Sequence, residues 1–212
     1  MIQQVKLFIR SYLLPDSIFL YAKSRRKKTL YLTFDDGPIR GVTEPLLDLL
    51  KEYNVKATFF IIGSNAEKAP ELMNRIHNEG HSIANHSYSH PNFNKINLST
   101  QQQQINRTND IIFQTTTKPC QLFRAPQGRW NIKLLHYLWK NKITAVHWNR
   151  DSLDFKKESP ETIIKRFKQQ TVNAGDIILF HDDNNLCVSV LEQLIPFWQL
   201  QGYTMEKLVS QN

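Results

Sequence analysis

The chain reads as an α/β domain of about seven parallel strands separated by helices. Three observations predict it. Short apolar runs alternate with segments of helical periodicity along most of the sequence. Residues 57–62 are apolar almost without a break, as in a strand buried on both faces. Residues able to do chemistry fall just after such runs, where the C-terminal ends of parallel strands converge. The pattern alone admits a closed barrel or an open sheet.

Residues 28–34 make the first strand, an alternating apolar run ended by Asp35-Asp36-Gly37-Pro38. Thr43 caps a helix over 43–53 that buries Leu46, Leu47, Leu49 and Leu50. A strand over 57–62 follows, then a helix over 70–79 stopped by Gly80, then a short strand over 81–84. Ser99 caps a helix to residue 113, and its run of four glutamines, Gln101 to Gln104, reads as an exposed face. Residues 121–124 form a strand, 132–140 a helix and 143–148 a strand. Ser159-Pro160-Glu161 opens a helix to residue 170, with Pro at the first helical position. A buried strand over 176–180, a helix over 188–200 and a strand over 203–208 complete the order.

With 212 residues and 41% hydrophobic content the chain can build one core. Its organisation reads as an N-terminal strap or short helix with a basic lead-in over 1–28, then one domain over 29–212. Net charge is +8, which favours anionic surroundings. No zinc-finger spacing and no interleaving of aromatic and basic residues is present, so nucleic acid is not the expected partner. Two cysteines, Cys120 and Cys187, exclude a disulfide framework and read as packing residues or free thiols. Arg10, Pro15 and Asp16 interrupt the apolar N-terminus, so no signal peptide is read, and location stays open between cytoplasm and envelope. No uncharged run is long enough to span a membrane. The apolar segment with the basic run at 23–28 leaves peripheral membrane contact open. The chain is taken as a monomer.

The strand ends carry the functional argument. Asp35 and Asp36 follow the first strand, His86 and His90 the third, and Arg124 the fourth. Asp151 and Asp154 follow the fifth, and His181 and Asp182 the sixth. Adjacent carboxylates on a strand point to opposite faces, but a break into a turn lets both reach one pocket. One can then bind a cation while the other acts as a base. Alone, Asp-Asp-Gly-Pro reads equally as an ordinary turn. Two histidines four apart, in His86-Ser87-Tyr88-Ser89-His90-Pro91, can share one ion, and Pro91 disfavours α geometry at His90. Neutral imidazoles with a carboxylate suit Zn, and also Co, Mn, Ni or Fe. His181 is a candidate general acid, and Arg124 would keep a nearby carboxylate ionised and oriented. His77, His136 and His147 sit in ordinary helix or strand pattern and receive no role. The tryptophans read as core or rim, with Trp148 near the site.

At this point the sequence resembles the polysaccharide deacetylases of the NodB-homology type, carbohydrate esterase family 4. Five blocks match in order: Thr33 to Pro38, His86 to His90, Arg124 to Gly128, Asp151 to Phe155, and Leu179 to His181. The resemblance implies a distorted (β/α) barrel, with Asp36, His86 and His90 as metal ligands and Asp35 as general base. It implies His181 as the acid for the leaving amine, Leu179 lining a pocket for the acetyl methyl, and Gln127 offering a backbone N–H to the oxyanion. Arg124 would orient Asp35, and Asp154 rather than Asp151 would pair with Arg124 or tune His181. Gln127 stands where the family usually has Tyr, and Phe155 where Trp is common. The implied activity is hydrolysis of N-acetyl groups on N-acetylglucosamine-containing glycan: peptidoglycan, chitin oligosaccharide or another surface polysaccharide. Two other readings use the same residues: an O-acetyl esterase or lipid-linked amino-sugar deacylase, and a non-catalytic glycan-binding module.

Overall fold

The strand Thr29–Asp35 explains the arrangement of the whole sheet, because every one of its residues is buried. The computed structural model describes residues 14–22 and 27–210. Within them, strands β1 (Phe19–Leu20), β2 (Thr29–Asp35), β3 (Thr58–Ile61), β4 (Ser82–Asn85) and β5 (Leu122–Phe123) are followed by β6 (Thr144–Val146), β7 (Arg150–Asp151), β8 (Ile177–His181) and β9 (Thr204–Met205). The sheet order is β1-β6-β5-β4-β3-β2-β8-β7, and β9 pairs separately with β2. Every pairing is parallel. No pairing joins β7 to β1, so the sheet curls into an incompletely closed, distorted barrel.

Period-two alternation separates two layers. Leu20, Tyr31, Phe60, Ala84, Leu122, Val146 and Ile177, from seven different strands, form one buried cluster on the inner face. Their neighbours Leu30, Leu32, Phe34, Phe59 and Ile61 face outward into the helix layer. That layer contains α1 (Thr43–Glu52), α2 (Gly63–Lys68), α3 (Pro70–Asn78), α4 (Leu98–Thr116), α5 (Ile132–Lys140), α6 (Pro160–Gln169) and α7 (Leu186–Leu200). Thr33 and Asp35 share a face with Tyr31 by the same alternation. Asp35 therefore stands at the C-terminal rim of the inner face.

The expected elements are present with shifted ends, and three more join them. β1 and β7 have two residues each, too short to show any period. The six-residue α2 begins at Gly63 directly after β3, so it reads from sequence as part of a loop. The strands therefore number nine among the described residues rather than about seven. Two cap assignments change. Asn97, not Ser99, caps α4 by accepting from the Thr100 N–H. Thr43 is the first residue of α1 rather than its cap, and its buried hydroxyl is used elsewhere. Residues 1–13 of the N-terminal strap and 23–26 of the basic run lie outside the described residues. Both cysteines are buried and free. No described helix is long and apolar enough to cross a membrane.

Candidate active site

β2 ends at Asp35, and the backbone then turns sharply, with Asp36 at φ 79°. The Gly37 N–H donates to Asp182 Oδ1 at 2.8 Å, and the Thr43 hydroxyl donates to Asp182 Oδ2 at 2.9 Å. Thr43 also accepts from the Ile39 N–H. Asp182 thus ties the turn to the start of α1. It is buried, and burial raises its carboxyl to about 7, against the hydrogen bonds from Thr43 and Gly37. The sequence marked Asp182 only as following a strand, because its partners are distant in the chain. A Cβ at Gly37 would come within 2.0 Å of Asp182 Oδ2. Gly37→Ala is expected to destabilise the fold by about 1–3 kcal/mol through overpacking. Thermal denaturation checks this, and an unchanged Tm would mean the turn does not need Asp182 so close.

The turn brings both carboxylates to one place. His86 Nε2 lies 3.6 Å from Asp35 Oδ2 and 3.6 Å from Asp36 Oδ1. His90 Nε2 is also 3.6 Å from Asp36 Oδ1. One ligand atom each from Asp36, His86 and His90 fall within 4.8 Å of one another. His86 Nδ1 is 2.8 Å from the Arg124 carbonyl oxygen, which can only accept, so Nδ1 carries the proton and Nε2 keeps its lone pair. Burial pushes His86 down to about 3, which keeps the ring neutral. Asp36 Oδ1 is buried and accepts no hydrogen bond. An orphaned carboxylate oxygen facing two imidazole nitrogens fits a divalent cation.

Asp35 presents Oδ2 to His86 and Oδ1 to Arg124, which is fully buried. The guanidinium donates to Asp35 Oδ1 at 2.6 Å and to the Thr33 hydroxyl at 2.9 Å. It stacks over Phe60, 4.0 Å from the ring centroid. Burial raises the Asp35 carboxyl, while Arg124, His181 and His90 pull it down. A carboxylate raised by burial yet fixed by Arg124 suits a general base.

His181 is the strand partner of Asp35, so the two residues stand side by side at the rim. Asp154 accepts from His181 twice, at 2.7 Å from Nδ1 and at 2.8 Å from the backbone N–H. Burial opposes charge on His181, but the bond and charge of Asp154, with Asp35 and Asp36, raise it to about 9. Asp151 instead accepts from Trp148 Nε1 and the Leu153 N–H, and burial raises its carboxyl. Of the two acids in this motif, Asp154 is the one bonded to His181.

Residues 22–146, more than half of the chain, match the family model described as polysaccharide deacetylase. The chain belongs to the polysaccharide deacetylase family. A peptidoglycan-N-acetylglucosamine deacetylase of Bacillus cereus is 36% identical over 196 residues, covering 91% of this chain and 71% of that protein. The peptidoglycan-N-acetylmuramic acid deacetylase PdaC of Bacillus subtilis is 35% identical, covering 84% of this chain; the chain spans only 38% of its length. The crystal structure of the Bc1960 peptidoglycan N-acetylglucosamine deacetylase, in complex with an N-oxidanyl-benzamide, superposes with a TM-score of 0.86 at 35% identity. The match covers 90% of this chain and 91% of that one.

Four further residues, Phe155, Leu179, Gln127 and Trp148, are expected from the sequence at this deacetylase site. Phe155 is exposed, and its ring meets His181 edge-on at 6.0 Å. Leu179 is buried in β8 beside Thr33. Gln127 adopts the left-handed conformation, φ 55°, with an exposed side chain. Trp148 packs against the inner cluster, 5.5 Å from the Arg124 guanidinium carbon. His147, given no role from the sequence, is buried behind Arg124, and its carbonyl accepts from that guanidinium at 3.5 Å. Its ring lies 4.1 Å from Trp148, and burial lowers it to about 3. Nothing in its neighbouring residues signals this, because the contact is made to the end of the adjacent strand β5, distant in the chain.

Proposed function

We propose that this protein is a metal-dependent hydrolase that releases acetate from the N-acetyl groups of N-acetylglucosamine-containing glycan. The observation that carries the reading is the meeting of Asp35 and Asp36 at one histidine, His86, with His181 beside Asp35 on the next strand. Asp36, His86 and His90 would hold the ion, most suitably Zn, with Co, Mn, Ni and Fe compatible. When bound there, a divalent cation supplies Lewis acidity towards water and towards the acetyl carbonyl.

Asp35 accepts the proton of the attacking water on its carboxylate, and Arg124 holds it in orientation from the opposite side. The Gln127 backbone N–H would donate to the developing oxyanion. His181 carries the proton for the departing amine on Nε2, because its Nδ1–H is committed to Asp154. Collapse of the tetrahedral species breaks the C–N bond; the amine takes that proton and acetate leaves. Leu179, Phe155 and Trp148 form the apolar wall against the acetyl methyl and the sugar ring. The relatives' names support peptidoglycan as the polymer, and the +8 net charge is complementary to an anionic one.

The test is acetate release from N-acetylglucosamine tetramer to hexamer by chelated protein and by protein reloaded with Zn or Co. Chelation is expected to abolish release and reloading to restore it. Hydrolysis of p-nitrophenyl acetate without action on the oligomers would favour the O-acetyl esterase reading. Metal-loaded protein that binds oligomers without releasing acetate would make it a binding module.

A further inference from the structure

We infer that the Gln104 side chain is a positioning residue for the metal site, holding the His86–His90 loop through three hydrogen bonds to its oxygen. This rests on the reading of Asp36, His86 and His90 as metal ligands. Gln104 hydrogen-bonds none of them. Its Oε1 accepts from the Tyr88 N–H at 3.1 Å, the Ser89 N–H at 2.8 Å and the Ser89 hydroxyl at 3.2 Å.

The loop needs such a holder. Ser87 and His90 both have positive φ, 71° and 52°, a region that non-glycine residues adopt at a cost. Inside the loop, the His90 N–H donates to the Ser87 hydroxyl and the Ser87 N–H to Asn85 Oδ1. Towards the fold, the Gly63 and Ser64 N–H groups donate to the Ser87 and Tyr88 carbonyls. The N–H groups of Tyr88 and Ser89, midway between the two imidazoles, are taken by Gln104 alone. Losing that acceptor would free the middle of the loop and let His90 move relative to His86.

Helix α4 is anchored well enough to serve as the fixed side. Asn85 donates to the Ile105 carbonyl at 2.8 Å and to Asn109 Oδ1 at 2.7 Å. Gln101, one turn before Gln104, is buried and donates to the Phe93 carbonyl at 2.6 Å. Two of the four consecutive glutamines are therefore used inward, Gln104 on the loop that carries the histidines and Gln101 on the segment after it, where the sequence suggested an exposed face. The role is specific to an acceptor, since only Oε1 is used.

The test compares Zn affinity of wild type, Gln104→Met and Gln104→Glu by competition with a chromophoric chelator, with Co absorption spectra alongside. Met keeps length and packing but not the strong acceptor; Glu keeps the acceptor. Gln104→Met is expected to lose about 10–100-fold in affinity with an altered Co spectrum, while Gln104→Glu stays near wild type. Gln104→Ala is measured too, with circular dichroism of each metal-free protein, so that a folded acceptor-less variant is always available. Unchanged affinity in the folded acceptor-less variants would overturn the inference and leave the metal site standing. Equal losses in Met and Glu would also overturn it. A wild-type protein that binds neither Zn nor Co would overturn the metal-site reading and this inference with it.

Discussion

Asp35→Asn is expected to lower acetate release by about 10²–10⁴-fold while leaving metal affinity nearly unchanged. The separation follows from the geometry. Asp36 Oδ1 is 3.6 Å from the Nε2 of both imidazoles, whereas Asp35 is paired with only one of them, His86, through Oδ2, and commits Oδ1 to Arg124 at 2.6 Å. Asparagine keeps an oxygen for the guanidinium but cannot accept a proton at working pH. Asp35→Ala is a poorer test, because it strands a fully buried Arg124 without a counter-charge and threatens the fold. Kinetics on Zn-loaded Asp35→Asn, at matched occupancy, decide the matter. Activity within tenfold of wild type would remove Asp35 as the base.

The sequence displayed the site better than it displayed the supports of the site. Asp35, Asp36, His86, His90, Arg124 and His181 were legible because each follows a strand and a parallel sheet gathers those ends on one rim. The long inner strands were legible too, since β2, β3 and β8 are each four or more residues long and mostly apolar. β1 and β7 were not, because two residues carry no period. Asp182, His147 and Gln104 were missed for a different reason. Each acts through a contact between segments distant in the chain, at the ends of neighbouring strands or between a helix and a loop: Asp182 on Gly37, His147 on Arg124, Gln104 on Tyr88 and Ser89. The Gln run looked like a solvated face because glutamine is usually exposed, but Gln104 turns inward as an acceptor for two loop N–H groups and Gln101 as a donor to the Phe93 carbonyl.

The second large effect concerns pH. As the proposed acid, His181 would act in its protonated form, and its value of about 9 means activity should hold at neutral pH and fall as pH rises through about 9. Asp154→Asn removes the charge that opposes burial, so the alkaline limb is expected to move to lower pH. If it moves to the ordinary imidazole value of about 6.5, about one thirtieth of the acid form remains at pH 8. Stability should follow the same sign. A folded-state value above the unfolded one makes protonation of His181 favour the native protein. That contribution is complete below about 6.5 and is lost as pH rises through about 9. Thermal stability of the wild type should therefore decline across this window more steeply than that of Asp154→Asn. The pH–rate profiles and melting curves of the two proteins are the measurements. An alkaline limb at the same pH in both would mean that His181 is not the acid, or that Asp154 does not set its protonation.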